Sequence, residues 1–119
     1  MAAPVYILGG YQTDFARNWM KDGGDIVALM KESVVEGLAA TGIDAKEVEV
    51  AHVGNFAAEL YCKQGHLGGF MAEIDPAMSG IPTSRHEAAC ASGSVSMMMA
   101  GAEIEAGRYN LALVLGVEQ

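Results

Sequence analysis

Four side chains in two short spans could do chemistry near neutral pH. Cys62 and His66 stand four positions apart in "CKQGH", and His86 and Cys90 stand four apart in "HEAAC". Such residues support three kinds of chemistry. A thiolate attacks a carbonyl, a histidine beside it acts as its base, and two Cys with two His can hold zinc. Cys90 differs from the rest in its surroundings. The stretch "HEAACASGSVSMMMAGA" places it among residues too small to cover it, just ahead of a helix-forming run.

A thiol at a helix N-terminus faces backbone N–H groups that lack intrahelical acceptors, and their partial positive charge favours the thiolate. The same N–H groups can hold the negative charge that develops on a carbonyl oxygen under attack. Ala91, Ser92 and Gly93 leave room for a substrate. This pattern fits an acyl-accepting nucleophile, and equally a buried structural thiol.

The rival chemistries are harder to build. If His86 and Cys90 shared one strand, they would lie ~13 Å apart at ~3.3 Å per residue, too far for direct proton transfer. A satisfied core or interface role therefore suits His86 better. Zinc held by Cys62, His66, His86 and Cys90 has suitable pair spacing, but structural sites usually sit in polar knuckle loops. Here Cys90 heads an apolar helix. Cys62, in "ELYCKQG", lacks small neighbours to admit a substrate, and His52 reads as packed or hydrogen-bonded within a strand. Met97, Met98 and Met99 could line an acyl pocket, although three consecutive residues cannot share one helix face.

The elements that must position these groups are readable in order. "VYIL" at 5–8 predicts a buried strand. In "DIVALMKESVVEGLAATG", Ile26, Met30, Val34 and Leu38 recur every four residues, with Asp25 placed to cap the helix and Gly42 to end it. "DAKE" at 44–47 has capping-box spacing and predicts a short turn. "VEVAHVGNF" predicts a second strand closed by Gly54-Asn55. "CKQGHLGGFMAEI" at 62–74 predicts a helix weakened by three glycines, and Pro76 and Pro82 bracket a loop. "TSRHEAA" predicts a third strand, with a helix beginning after Cys90. No charge occurs between Ala88 and Ala102, so that helix is expected to be interior, with Gly107 ending it. "LALVLGV" at 111–117 predicts a fully buried strand. Alternating strands and helices with apolar strands give an α/β fold around a mostly parallel sheet covered by helices.

Composition narrows the partners. The 119 residues form one domain at most, 51% hydrophobic and 18% charged, with a net charge of −8. No Lys/Arg cluster is present to neutralise phosphates, so nucleic acid is not an expected partner. The longest uncharged segment falls short of the ~20 apolar residues a bilayer span needs, so neither is a membrane. Two cysteines and the lack of a signal-like opening suit a reducing, cytoplasmic setting.

A nucleophile-like motif and four further ordered segments carry a resemblance. "EAACASG" resembles the nucleophile motif of the thiolase family (acetyl-CoA acetyltransferase, 3-ketoacyl-CoA thiolase). "GGYQTDFAR" resembles the segment after that family's first strand, "VAHVGNF" its second strand, and "KQGHLG" with "AGAEIEAGRYNLALVLGVEQ" the passages on either side of the motif. Residues 1–119 would be the N-terminal thiolase-like half, the first copy of a duplicated α/β unit. The resemblance implies that Cys90 is the catalytic residue, taking an acyl group from acyl-CoA or 3-ketoacyl-CoA in Claisen condensation or thiolytic cleavage. It implies a coenzyme A thioester as substrate with no permanently bound cofactor, and an oligomeric assembly. The family's acid/base histidine and second cysteine belong to its later half and match nothing here. A complementary chain carrying the C-terminal half is therefore the expected partner, making this chain one part of a split or cleaved enzyme. Glu87, Ser94 and Gln12-Thr13-Asp14 depart from the commoner pattern and resemble the archaeal and lipid-carrier-type branches. Two alternatives remain open: the zinc-binding domain above, and a non-catalytic structural subunit.

Overall fold

The computed structural model describes residues 2–119. The first helix, α1 (Ile26–Thr41), forms as its periodicity dictates. Asp25 stays extended and accepts a hydrogen bond from the Ala28 amide at 2.8 Å, and Gly42 closes the helix in the left-handed region at φ 70°. Glycine is favoured there because it carries no Cβ to strain. Ile26, Leu29, Met30 and Val34 are the buried face. Replacing Asp25 with Ala removes the cap, with an expected loss of about 1 kcal/mol in chemical denaturation. The "DAKE" segment is a 3-10 turn with both bonds of a capping box in place.

Three strands follow: β1 (Val50–Gly54), β2 (Thr83–His86) and β3 (Ala112–Gly116). They pair in parallel in the order β2-β1-β3, with His52 opposite Ser84 and Val114. Alternation then sorts the side chains by face. Ala51, Val53 and Leu115 join the core with Met30 and Val34 of α1, and with Leu67, Met71 and Met78 from the short turns between β1 and β2. The opposite face receives α4 (Ser92–Glu105). The central strand β1 is buried along its whole length, as expected for a parallel sheet covered on both sides.

Five expectations are corrected. Residues 5–8 form no strand, and Tyr6, Ile7 and Leu8 are 74%, 78% and 64% exposed. Apolar, β-forming residues specify a strand only when a partner edge is in hydrogen-bonding reach, and this segment pairs with none. Span 62–74 is not one helix. The short helix α2 (Ala58–Tyr61) precedes it, and within it lie a 3-10 turn at Leu67–Phe70 and α3 (Met71–Ile74). Lys63 and His66 both sit at φ 53°, which no continuing helix allows. The third strand stops at His86, short of the predicted Ala88-Ala89, because Ala89 turns into the left-handed region. Helix α4 is not interior all round: Ser92, Ser96 and Ala100 are buried, while Met97, Met98 and Met99 are exposed. In β3 only Leu115 is buried, since this strand is an edge of the sheet. Gly107 does follow the end of α4, at φ 74°.

Candidate functional site

Cys90 is exposed on a tight turn between β2 and α4. The Ala91 amide donates to the Ala88 carbonyl at 2.9 Å, and Ala89 in between takes φ 49°. A non-glycine residue held there costs roughly 1–2 kcal/mol, so the surroundings must enforce it. Ser92 does so. Its Oγ accepts from the Ala88 amide at 2.9 Å and donates to the Ala89 carbonyl at 2.7 Å, fastening both sides of the bend. By sequence alone Ser92 is a small residue that leaves room; its part in the turn depends on a fold-back that spacing does not reveal.

The turn sits directly over the end of the central strand. A Cβ on Gly54 would lie 2.7 Å from the Gly93 nitrogen and from the Ser92 carbonyl group, so only glycine lets the head of α4 approach β1 this closely. The first helical bond runs from the Val95 amide to the Ala91 carbonyl at 3.0 Å. The amides of Gly93 and Ser94 precede it and are of the kind that lack intrahelical acceptors. The side chain of Ala91, the residue before α4, makes no capping bond. An exposed thiol therefore stands just ahead of a helix head that no side chain caps.

Asn55 secures the same end of the sheet. Buried, it donates through Nδ2 to the Val117 carbonyl at 2.8 Å and accepts at Oδ1 from the Ala58 amide at 3.1 Å. Arg85 reaches the same oxygen and pairs with Glu59 on the outer side.

The other predicted residues are dispersed. Cys62 ends α2 and donates to Gln119 Oε1 at 3.5 Å, and burial, then the charge of Glu118, push its thiol above the usual range. His66 precedes the Leu67–Phe70 turn, where its ring lies over Gly69. His86 ends β2 in a hydrogen-bonded chain with His52. Cys62, His66, His86 and Cys90 thus do not converge, and no group of three or more His, Cys, Asp or Glu among the described residues is placed to hold a metal. The zinc alternative is set aside on this geometry.

A cleft of about 610 Å³ runs beside α4 and β3, bounded by residues 4–13, α1 and the α4 residues Gly93, Met97 and Ile104. Of the three consecutive methionines only Met97 lines it. Among the described residues no helix is long and apolar enough to cross a membrane.

This combination is an α/β fold on a parallel three-stranded sheet, with a cysteine displayed at the head of a helix packed on the sheet. A family model for the thiolase N-terminal domain matches residues 5–119, and the chain belongs to the thiolase family. It is similar to an acetyl-CoA acetyltransferase of Methanocaldococcus jannaschii, 36% identical over 97% of this chain and 28% of that protein. A second acetyl-CoA acetyltransferase, from Methanothermobacter thermautotrophicus, is 28% identical over 97% of the chain and 29% of its own length. A non-specific lipid-transfer protein-like 2 of Caenorhabditis elegans is 30% identical over 97% of the chain and 26% of its own length. The chain therefore spans under a third of the length of these relatives.

Proposed function

We propose that the chain is the nucleophile-bearing part of an acyl-CoA C-acyltransferase, with Cys90 as the residue that becomes acylated. The observation that carries this reading is the exposed Cys90 on the Ser92-braced turn at the head of α4. In the first step the Cys90 thiolate attacks the thioester carbonyl of acyl-CoA. The oxygen takes up the negative charge beside the α4 amides. The C–S bond to coenzyme A then breaks, and the departing thiolate takes a proton. In condensation, the α-carbanion of a second acyl-CoA attacks the acyl-cysteine carbonyl and expels the Cys90 thiolate, giving a 3-ketoacyl-CoA. Thiolytic cleavage is the reverse.

Both directions need groups that move protons to and from carbon and sulfur. We assign these to polypeptide beyond these residues, in a cytoplasmic oligomer with the remaining part of the enzyme. The apolar cleft past Gly93 and Met97 has room for an acyl chain.

Alkylation discriminates the two thiols. At neutral pH iodoacetamide is expected to modify Cys90 well ahead of Cys62, whose thiol is held protonated by burial and by Glu118. Acyl-CoA should protect Cys90 and leave an acyl adduct there in peptide mass spectra. Equal labelling of both cysteines, or labelling unaffected by acyl-CoA, would refute the assignment.

A further inference from the structure

A chain of four polar side chains lies between the sheet and α4, on the face that also meets the Cys90 turn. His52 is only 4% exposed. Its Nε2 is 2.7 Å from Glu103 Oε2 on α4, and its Nδ1 is 2.8 Å from His86 Nε2 on β2. Ser84 Oγ lies 3.1 Å from that His86 nitrogen and 3.3 Å from the His52 one. The two rings stack with centroids 5.0 Å apart. The groups are strung along opposite edges of the His52 ring instead of converging on one point, so they form a relay and no ligand set.

The chemistry limits how many protons the relay can hold. A carboxylate only accepts, so His52 Nε2 must donate to Glu103. The facing nitrogens, His52 Nδ1 and His86 Nε2, then share one proton between them. If both rings become cationic, both facing nitrogens carry N–H, and two donors cannot remain 2.8 Å apart. Charges around the pair offer little relief. Glu103 already serves His52, and Arg85, the other charged residue of β2, pairs with Glu59 and Asn55. The turn at Leu67–Phe70 beside β2 carries no charge, and the ring of His66 lies over Gly69.

We propose that Glu103, His52 and His86 form a proton-counting latch that holds α4, and with it the Cys90 turn, against the sheet, and that a second cationic ring releases it. As regulation of Cys90 it rests on the function proposed above. The direction of the His86 shift agrees: burial, then the His52 charge, lower its ionisation below the ordinary value near 6.5, against an opposing pull from Glu103. A histidine lowered in the folded state contributes stability that is full above the unfolded value and lost as pH falls through the folded one. The latch is therefore closed at neutral pH and opens in acid.

The test is hydrogen exchange of the α4 amides, Val95 to Ala100, in the full protein between pH 7.5 and 5.0, corrected for intrinsic rates. Opening is expected to rise at least about tenfold across the range. His86→Gln keeps a donor toward His52 without a titrating ring, and should flatten that rise. Glu103→Gln should raise opening at neutral pH. An unchanged pH dependence in His86→Gln would overturn the latch. Should that variant not fold, ring nitrogen NMR of the wild type decides: coupled titration of His52 and His86 supports the proposal and independent titration sinks it. Cys90 that resists alkylation at every pH, with the α4 dependence intact, would refute the nucleophile assignment and leave the latch standing.

Discussion

Cys90→Ala is expected to abolish acyl transfer in the complete enzyme, by at least about 10³-fold in kcat, while assembly and thermal stability stay close to wild type. The two halves of this expectation have separate physical grounds. Without the sulfur no acyl-enzyme can form, and the N–H groups at the head of α4 have no nucleophile to serve. The side chain is exposed and makes little packing contribution, so its loss leaves no cavity in the core. Initial rates of 3-ketoacyl-CoA cleavage, paired with a melting curve, measure both. Retained activity would remove Cys90 from the mechanism. Loss of assembly along with activity would favour a structural part for the residue. Cys62→Ala serves as the control and should leave kcat within about twofold.

The second large effect concerns Gly54→Ala. The added methyl would meet the Gly93 nitrogen and the Ser92 carbonyl group at 2.7 Å, and both are backbone that cannot rotate aside. Overpacking of this kind costs typically 1–3 kcal/mol. We expect about 3 kcal/mol here, because the whole head of α4 must lift. At about 4 °C per kcal/mol in a domain of this size, the melting temperature should fall by roughly 12 °C. The lift also changes the bend that Ser92 Oγ spans, so Cys90 alkylation should slow by about an order of magnitude in the molecules that remain folded. Gly116→Ala is the control, since the corresponding methyl at the end of β3 meets nothing within 4 Å.

How much of this could be read in the sequence follows from how local each cause is. Asp25 and Gly42 bound α1 as expected because a cap acts on amides three residues away or fewer. The same holds for the capping box at 44–47 and for β1, whose mostly apolar run, broken only by His52, matches its burial. Cys90 stands uncovered because its neighbours are alanine, serine and glycine. Longer-range outcomes were not legible. Val5–Leu8 has the composition of a strand but no partner edge. Apolarity of α4 fixes which side chains avoid water, without saying whether residues within this chain cover Met97, Met98 and Met99. The His52–His86–Glu103 chain joins residues 34 and 51 positions apart. Alternation could have shown that His52, Ser84 and His86 share a face only once the parallel register was known, and Glu103 carries no local signal at all.

The uncovered run from Val5 to Leu8 has a consequence for handling the protein in concentrated solution. Edge strands with open hydrogen-bonding groups and short, uncharged β-forming segments are the features through which chains adhere to their own copies. Here both occur in one molecule, with β3 unpaired on its outer side and Tyr6, Ile7 and Leu8 facing water. The charge of −8 keeps copies apart by repulsion. Because dissolved salt shortens the reach of that repulsion to about 10 Å at 0.1 M, high ionic strength works against colloidal dispersal of this chain.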